Sequence, residues 1–154
     1  MRRRLFLLPS LVLALAACGA PEDDDGTAFT VADQVLSGEI AGQPWTFVQG
    51  STNAFLSDAE GWFSKLHAAP YTSCDEFTEP DPPYMLVNVP TTLGEHLYGL
   101  HLNATFVTEP GVNMIGTTGG IIVTEITETT VTAGLKTSYE GHHAEGFFTV
   151  DLCP

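Results

Sequence analysis

The residues of this chain best suited to chemistry are imidazoles and carboxylates crowded near its C-terminal end. Glu140-Gly141-His142-His143-Ala144-Glu145 sets two histidines between two glutamates. Imidazole nitrogens and carboxylate oxygens together suit a borderline divalent ion such as zinc or copper. Adjacent residues on a strand point to opposite faces, so His142 and His143 converge on one ion only from a turn. Gly141 marks such a turn, at the tip of a final hairpin. His142, His143, Glu140 and Glu145 are therefore the candidate metal ligands. If they hold no ion, the segment is a solvated turn and the chain needs no cofactor.

Other groups are less well placed. His96 and His101 share one predicted strand, but their odd separation puts them on opposite faces. His67 closes another strand and reads as structural or exposed. Asp75, Glu76, Glu79 and Asp81 crowd one loop without the ordered oxygen ligands and sharp turn of a calcium loop. Ser51, Ser57, Ser64, Ser73 and Ser138 all lie outside a G-x-S-x-G elbow. Gly116–Gly120 lacks the lysine and the following helix of a phosphate cradle. Trp62, Tyr71, Tyr84 and Tyr98 are candidates for stacking on a glycan ring, although such residues on strands usually pack in the core or its rim. No catalytic set emerges. The expectation is a non-catalytic binding or structural domain; the alternatives are a metal-dependent domain and a barrel holding a small apolar ligand.

The elements that position these groups read as strands. Val35–Ile40 and Trp45–Val48 flank a Gly/Pro turn. Thr52–Leu56 pairs with Trp62–His67; Met85–Val89 and Glu95–Leu102 flank a turn at Pro90–Gly94, and Ala104–Thr108 is shorter. Ile121–Thr127, Thr130–Tyr139 and Glu145–Cys153 form a closing meander, with Phe148, Val150 and Leu152 alternating against polar residues. Glycine and proline total 25, which leaves few uninterrupted helical windows, and only Ser57–Glu60 reads as a helical turn. The pattern predicts an all-β domain, an antiparallel β-sandwich or closed β-barrel of about 8–10 short strands. Ala68–Pro83 and the glycine-rich Glu109–Gly120 are the long irregular segments, where contacts with a ligand or partner are expected.

Composition narrows the partners. Five Lys and Arg face 19 Asp and Glu, a formal net charge of −14. Such a surface repels phosphate backbones and anionic headgroups, which excludes nucleic acid as a partner.

The N-terminal stretch carries the clearest motif. Arg2, Arg3 and Arg4 precede an apolar run, Leu5–Ala17, that is too short and too broken by Pro9 to span a bilayer. It ends in Leu15-Ala16-Ala17-Cys18, which resembles the lipobox of bacterial lipoproteins. The resemblance implies that residues 1–17 are a signal peptide removed on export and that Cys18 becomes a lipidated N-terminus attached to a membrane. Residues 18–30 would then be an acidic tether, and 31–154 the β-domain. Gly19, where an aspartate would favour the inner membrane, points to the outer one. Glu22–Asp25 is similar to surface-export signals of some lipoproteins, and Arg3-Arg4-Leu5-Phe6-Leu7 to the twin-arginine pattern, though the general secretory route is expected.

Removing the leader leaves Lys65 and Lys136 against the 19 acids, hence a net charge of −17. It also leaves Cys74 and Cys153 as an even pair in an oxidising compartment, where a disulfide is expected. The segments Gly38-Glu39-Ile40-Ala41-Gly42-Gln43-Pro44-Trp45-Thr46-Phe47 and Gly146–Cys153 resemble those of small β-rich envelope lipoproteins. That implies location and fold, with an envelope protein or a small molecule as the partner.

Overall fold

Alternation of apolar and polar residues, with glycine or asparagine at the corners, produces strand after strand. The computed structural model describes residues 29–99 and 102–154. The leader, Cys18, most of the tether and His101 lie outside the described residues. The strands are β1 (Ser37–Ile40), β2 (Gln43–Thr46), β3 (Gln49–Thr52), β4 (Gly61–His67), β5 (Tyr84–Pro90), β6 (Gly94–Leu97), β7 (Ala104–Glu109), β8 (Val112–Gly116), β9 (Thr118–Ile126), β10 (Thr130–Tyr139) and β11 (His142–Asp151). One 3₁₀ turn, Glu76–Thr78, is the helical element among the described residues. None of them forms a helix long and apolar enough to cross a membrane.

The all-β expectation holds. All 11 strands belong to one sheet, in the order β6-β9-β10-β11-β3-β4-β5-β7-β8, with the β1–β2 hairpin branching from β11. The sheet curls into a half-barrel, so that Gly116 at the end of β8 lies against Thr137 of β10. An isolated parallel bridge joins Val35 to Phe147; the strand pairings themselves are antiparallel except where Asp151 of β11 meets Ser51 of β3 in parallel. That junction is short because β11 divides its edge, with β1 beside Ala144 and β3 beside Asp151. Between them Gly146, at φ 136°, lets the chain from Gln34 to Leu36 approach; a Cβ there would sit 2.7 Å from three backbone atoms.

Every second residue of the strands faces the concave side. Leu66, Val87, Phe106, Ile121, Leu135 and Val150 are buried there. A side chain of this kind contributes about 1.5–3 kcal/mol when fully removed from water. Together they form one core cluster with Leu36, just before the N-terminal hairpin, and with Ile40 and Trp45 in it.

Several boundaries differ from the sequence pattern. Thr52–Leu56 is mostly a turn, because the Asn53 side chain accepts hydrogen bonds from the Phe55 and Leu56 N–H groups and competes with the ladder. Glu109–Gly120 contains a strand, β8, which returns along β7 after a turn at Pro110-Gly111. The helical turn falls at Glu76–Thr78 rather than Ser57–Glu60, where Asp58 instead accepts from the Glu60 and Gly61 N–H groups.

Candidate binding site

The convex face of β3, β4 and β5 carries a polar stripe that would be unremarkable if solvated. Instead the Ala68–Pro83 loop folds over it. The Gln49 carboxamide accepts from the Tyr71 N–H at 3.1 Å and donates to Ser73 Oγ at 2.7 Å. Ser51 Oγ and Tyr71 Oη are 2.8 Å apart, and Lys65 Nζ meets Glu79 Oε2 at 2.7 Å. Ser73 also donates to Asp151. The Cys74–Cys153 disulfide, spanning 79 residues with Cα atoms 5.5 Å apart, fixes the same loop to the chain's end. The longest irregular segment is therefore a pinned cover.

Beside the pinned cover lies a surface that exposes large apolar side chains. Asn53 donates from its Nδ2 to Glu76 Oε1, which ties the turn after β3 to the 3₁₀ turn. A groove of about 200 Å³ runs between them, with Thr52, Asn53, Phe55, Glu76 and the disulfide among its lining. Phe77 is 100% exposed and Phe55 96%, each on one of the two tied loops, with Leu56 at 59% beside Phe55. Asp75 caps the 3₁₀ turn by accepting from the Phe77 N–H at 3.0 Å. Two large aromatic side chains are thus exposed to water on loops tied to one another by a hydrogen bond, and neither contributes to the core.

The expected metal ligands do not converge. The hairpin turn is Glu140-Gly141, both at positive φ (43° and 89°), so His142 and His143 already belong to β11, opposite Tyr139 and Ser138. Strand alternation then sends them to opposite faces. His142 lies over the Phe106 ring at 5.5 Å between centroids, and its Nδ1 accepts from the Ala41 N–H at 3.0 Å. His143 is exposed, as is Glu140 in the turn. Glu145 is a clamp: it accepts from the Ala32 N–H at 3.1 Å and pairs with Lys136 at 3.2 Å. With Glu95, which accepts from the Phe29 N–H at 3.0 Å, it holds the start of the domain against the sheet. Among the described residues no three His, Cys, Asp or Glu side chains group to hold a metal ion. Glu76, Glu79 and Asp75 are likewise committed to local bonds, and His96 Nε2 lies 3.0 Å from the Thr92 carbonyl oxygen.

His67 is the residue whose environment the sequence did not disclose. It is 1% exposed, with the rings of Tyr71 and Tyr84 each 5.0 Å from its own. Neither ring nitrogen has a hydrogen-bond partner among the described residues. Burial, with the nearby Lys65 charge, lowers its pKa to about 4, so the ring is neutral at pH 7. Tyr98, another expected stacking residue, has a buried hydroxyl whose pKa is raised by burial, an effect that the Thr137 hydroxyl beside it partly offsets.

No family model, curated protein or solved structure matches the chain. The functional reading rests on its own residues.

Proposed function

We propose that this chain is a bacterial cell-envelope lipoprotein, anchored through lipid on Cys18, whose β-domain is a non-catalytic module that binds another envelope protein. The exposure of Phe55 and Phe77 carries the binding half of the reading. Burying a phenylalanine contributes about 2–3 kcal/mol, a gain these two forgo in the isolated domain and would recover against a partner. Asp58, Asp75 and Glu76 share their loops, so the matching surface is apolar with a basic rim. An anionic bilayer is disfavoured as the contact, because the mature chain would carry a net charge of −17. The Cys74–Cys153 bridge supports an oxidising compartment such as the envelope. The outer membrane is the favoured address, on the strength of Gly19.

The test is photo-crosslinking in the intact envelope from a probe at position 55. The reading expects one dominant protein partner, lost when Phe77→Ser or Glu76→Lys is added and unaffected by Val112→Ser on the distant β8. Adducts with lipid alone, or crosslinking indifferent to both changes, would refute it.

A further inference from the structure

His67 lies where the sheet meets its cover. It closes β4, opposite Gln49 of β3 and Tyr84 of β5, and the chain passes from it directly into Ala68–Pro83. Both ring nitrogens are sealed from solvent, and neither has a hydrogen-bond partner among the described residues. The Tyr71 ring of the cover and the Tyr84 ring of β5 close over the imidazole. Its charged neighbours offer no compensation. Lys65, on the same strand, disfavours a second positive charge. Glu79 is paired with Lys65, and Asp81 borders the adjacent cavity without bonding to the ring. An imidazolium there would have two N–H donors and nothing to receive them.

We infer that Ala68–Ser73 is an acid-sensitive flap: His67 takes up a proton only when this segment lifts, so acid opens it while the sheet beneath stays folded. Little resists the lifting. Ala68, Pro70 and Thr72 are exposed, and Ala69, Tyr71 and Ser73 are only half-buried, so the segment removes little apolar surface from the core. Hydrogen bonds near the surface hold it down. The Tyr71 N–H donates to Gln49, Tyr71 Oη meets Ser51, Gln49 donates to Ser73, and Ser73 donates to Asp151. Both ends of the flap are anchored, one in β4 at His67 and the other at Cys74 by the disulfide. It can therefore reclose.

The direction of the effect follows from which form binds the proton. In the closed fold, burial reinforced by Lys65 lowers the imidazole pKa to about 4, whereas in the open form the ring is in water and titrates near its ordinary 6.5. The closed form is therefore favoured at neutral pH and loses ground as pH falls below 6.5. The closed-to-open ratio drops about tenfold for each pH unit beyond that point, and about 30-fold in all between pH 7.5 and pH 5. The flap does not depend on the lipid anchor or on the phenylalanine surface.

Hydrogen exchange of single amides in the purified protein, read as protection factors at pH 7.5 and pH 5, tests the flap. The Tyr71 N–H, bonded to Gln49, reports its opening, and Leu135 in the middle of β10 reports unfolding of the whole domain. The Tyr71 amide should lose about 30-fold of its protection between the two pH values, with Leu135 better protected by at least about tenfold at both. In His67→Phe, which keeps a ring beneath Tyr71, the loss at residue 71 should be under about threefold. Tyr71→Phe removes the bond to Ser51 and keeps His67, so protection at residue 71 should be lower at both pH values and still fall about 30-fold. Equal protection of Tyr71 and Leu135 would mean that the segment opens only when the domain unfolds. Equal losses in wild type and His67→Phe would mean that His67 does not drive it. Either result overturns the inference.

Discussion

Replacing His67 by phenylalanine should alter the response of this fold to acid more than its stability at neutral pH. At pH 7.5 both folded and unfolded histidine are neutral. Phenylalanine fills nearly the same space between Tyr71 and Tyr84 while removing two unpartnered nitrogens, so stability should change by less than about 1 kcal/mol or rise. Below its unfolded pKa of 6.5 the wild-type unfolded chain takes up a proton that the folded chain refuses until about pH 4. The pKa is depressed in the fold, so protonation favours unfolding, and stability drains as pH falls across that window. Integrated over the window the loss is about 3 kcal/mol, of which about 2 kcal/mol has gone by pH 5. The carboxylates titrate in the same range, but they are common to both proteins and cancel in the comparison. Urea unfolding followed by Trp45 and Trp62 fluorescence at pH 7.5 and pH 5 measures the difference. Wild type should lose about 2 kcal/mol more than His67→Phe between those pH values. Equal losses would show that His67 is solvated or bonded in the fold, and a loss above about 3 kcal/mol for the variant at pH 7.5 would show that its nitrogens are paired.

Three further outcomes follow from the fold. Cys74→Ser/Cys153→Ser opens a closure spanning 79 residues, worth roughly 4 kcal/mol in the chain-entropy model, and calorimetry should show Tm falling by more than about 10 °C. Gly146→Ala places a Cβ 2.7 Å from Gln34 O, Leu36 N and Val35 O at a positive φ, and should cost more than about 3 kcal/mol in denaturant or prevent folding outright. Glu145→Ala releases the Ala32 N–H and the half-exposed Lys136, so global stability should fall by less than about 1 kcal/mol while amide exchange at residues 30–34 accelerates markedly by mass spectrometry.

Local alternation was enough to find most strands. β10 spans the same Thr130–Tyr139 that its pattern indicates, because one face is buried along its whole length. Structure departs from the local pattern where a side chain or a distant segment decides the outcome. Asn53 draws the chain out of β3 by bonding its own backbone, a competition that composition registers only weakly. β8 leaves no alternating pattern because its residues are mostly exposed and glycines bracket it. At the last hairpin, Glu140-Gly141 has the form of a two-residue turn, and placing the corner there moves both histidines onto β11 and ends their candidacy as joint ligands. The isolation of His67 and the exposure of Phe55 and Phe77 depend on where Ala68–Pro83 returns across the sheet, a contact between segments that no short-range pattern encodes. The Cys74–Cys153 pairing was legible because setting Cys18 aside left one partner for each cysteine.

Lipid anchoring through Cys18 is tested by intact mass spectrometry of the protein recovered from the membrane fraction of a bacterium expressing it, with sequencing of its N-terminus. The expected result is a chain lacking residues 1–17 and beginning at a lipid-modified Cys18, and a Cys18→Ser variant that keeps its leader and carries no lipid. A mature chain starting elsewhere, or one with Cys18 present as a free thiol, would contradict it.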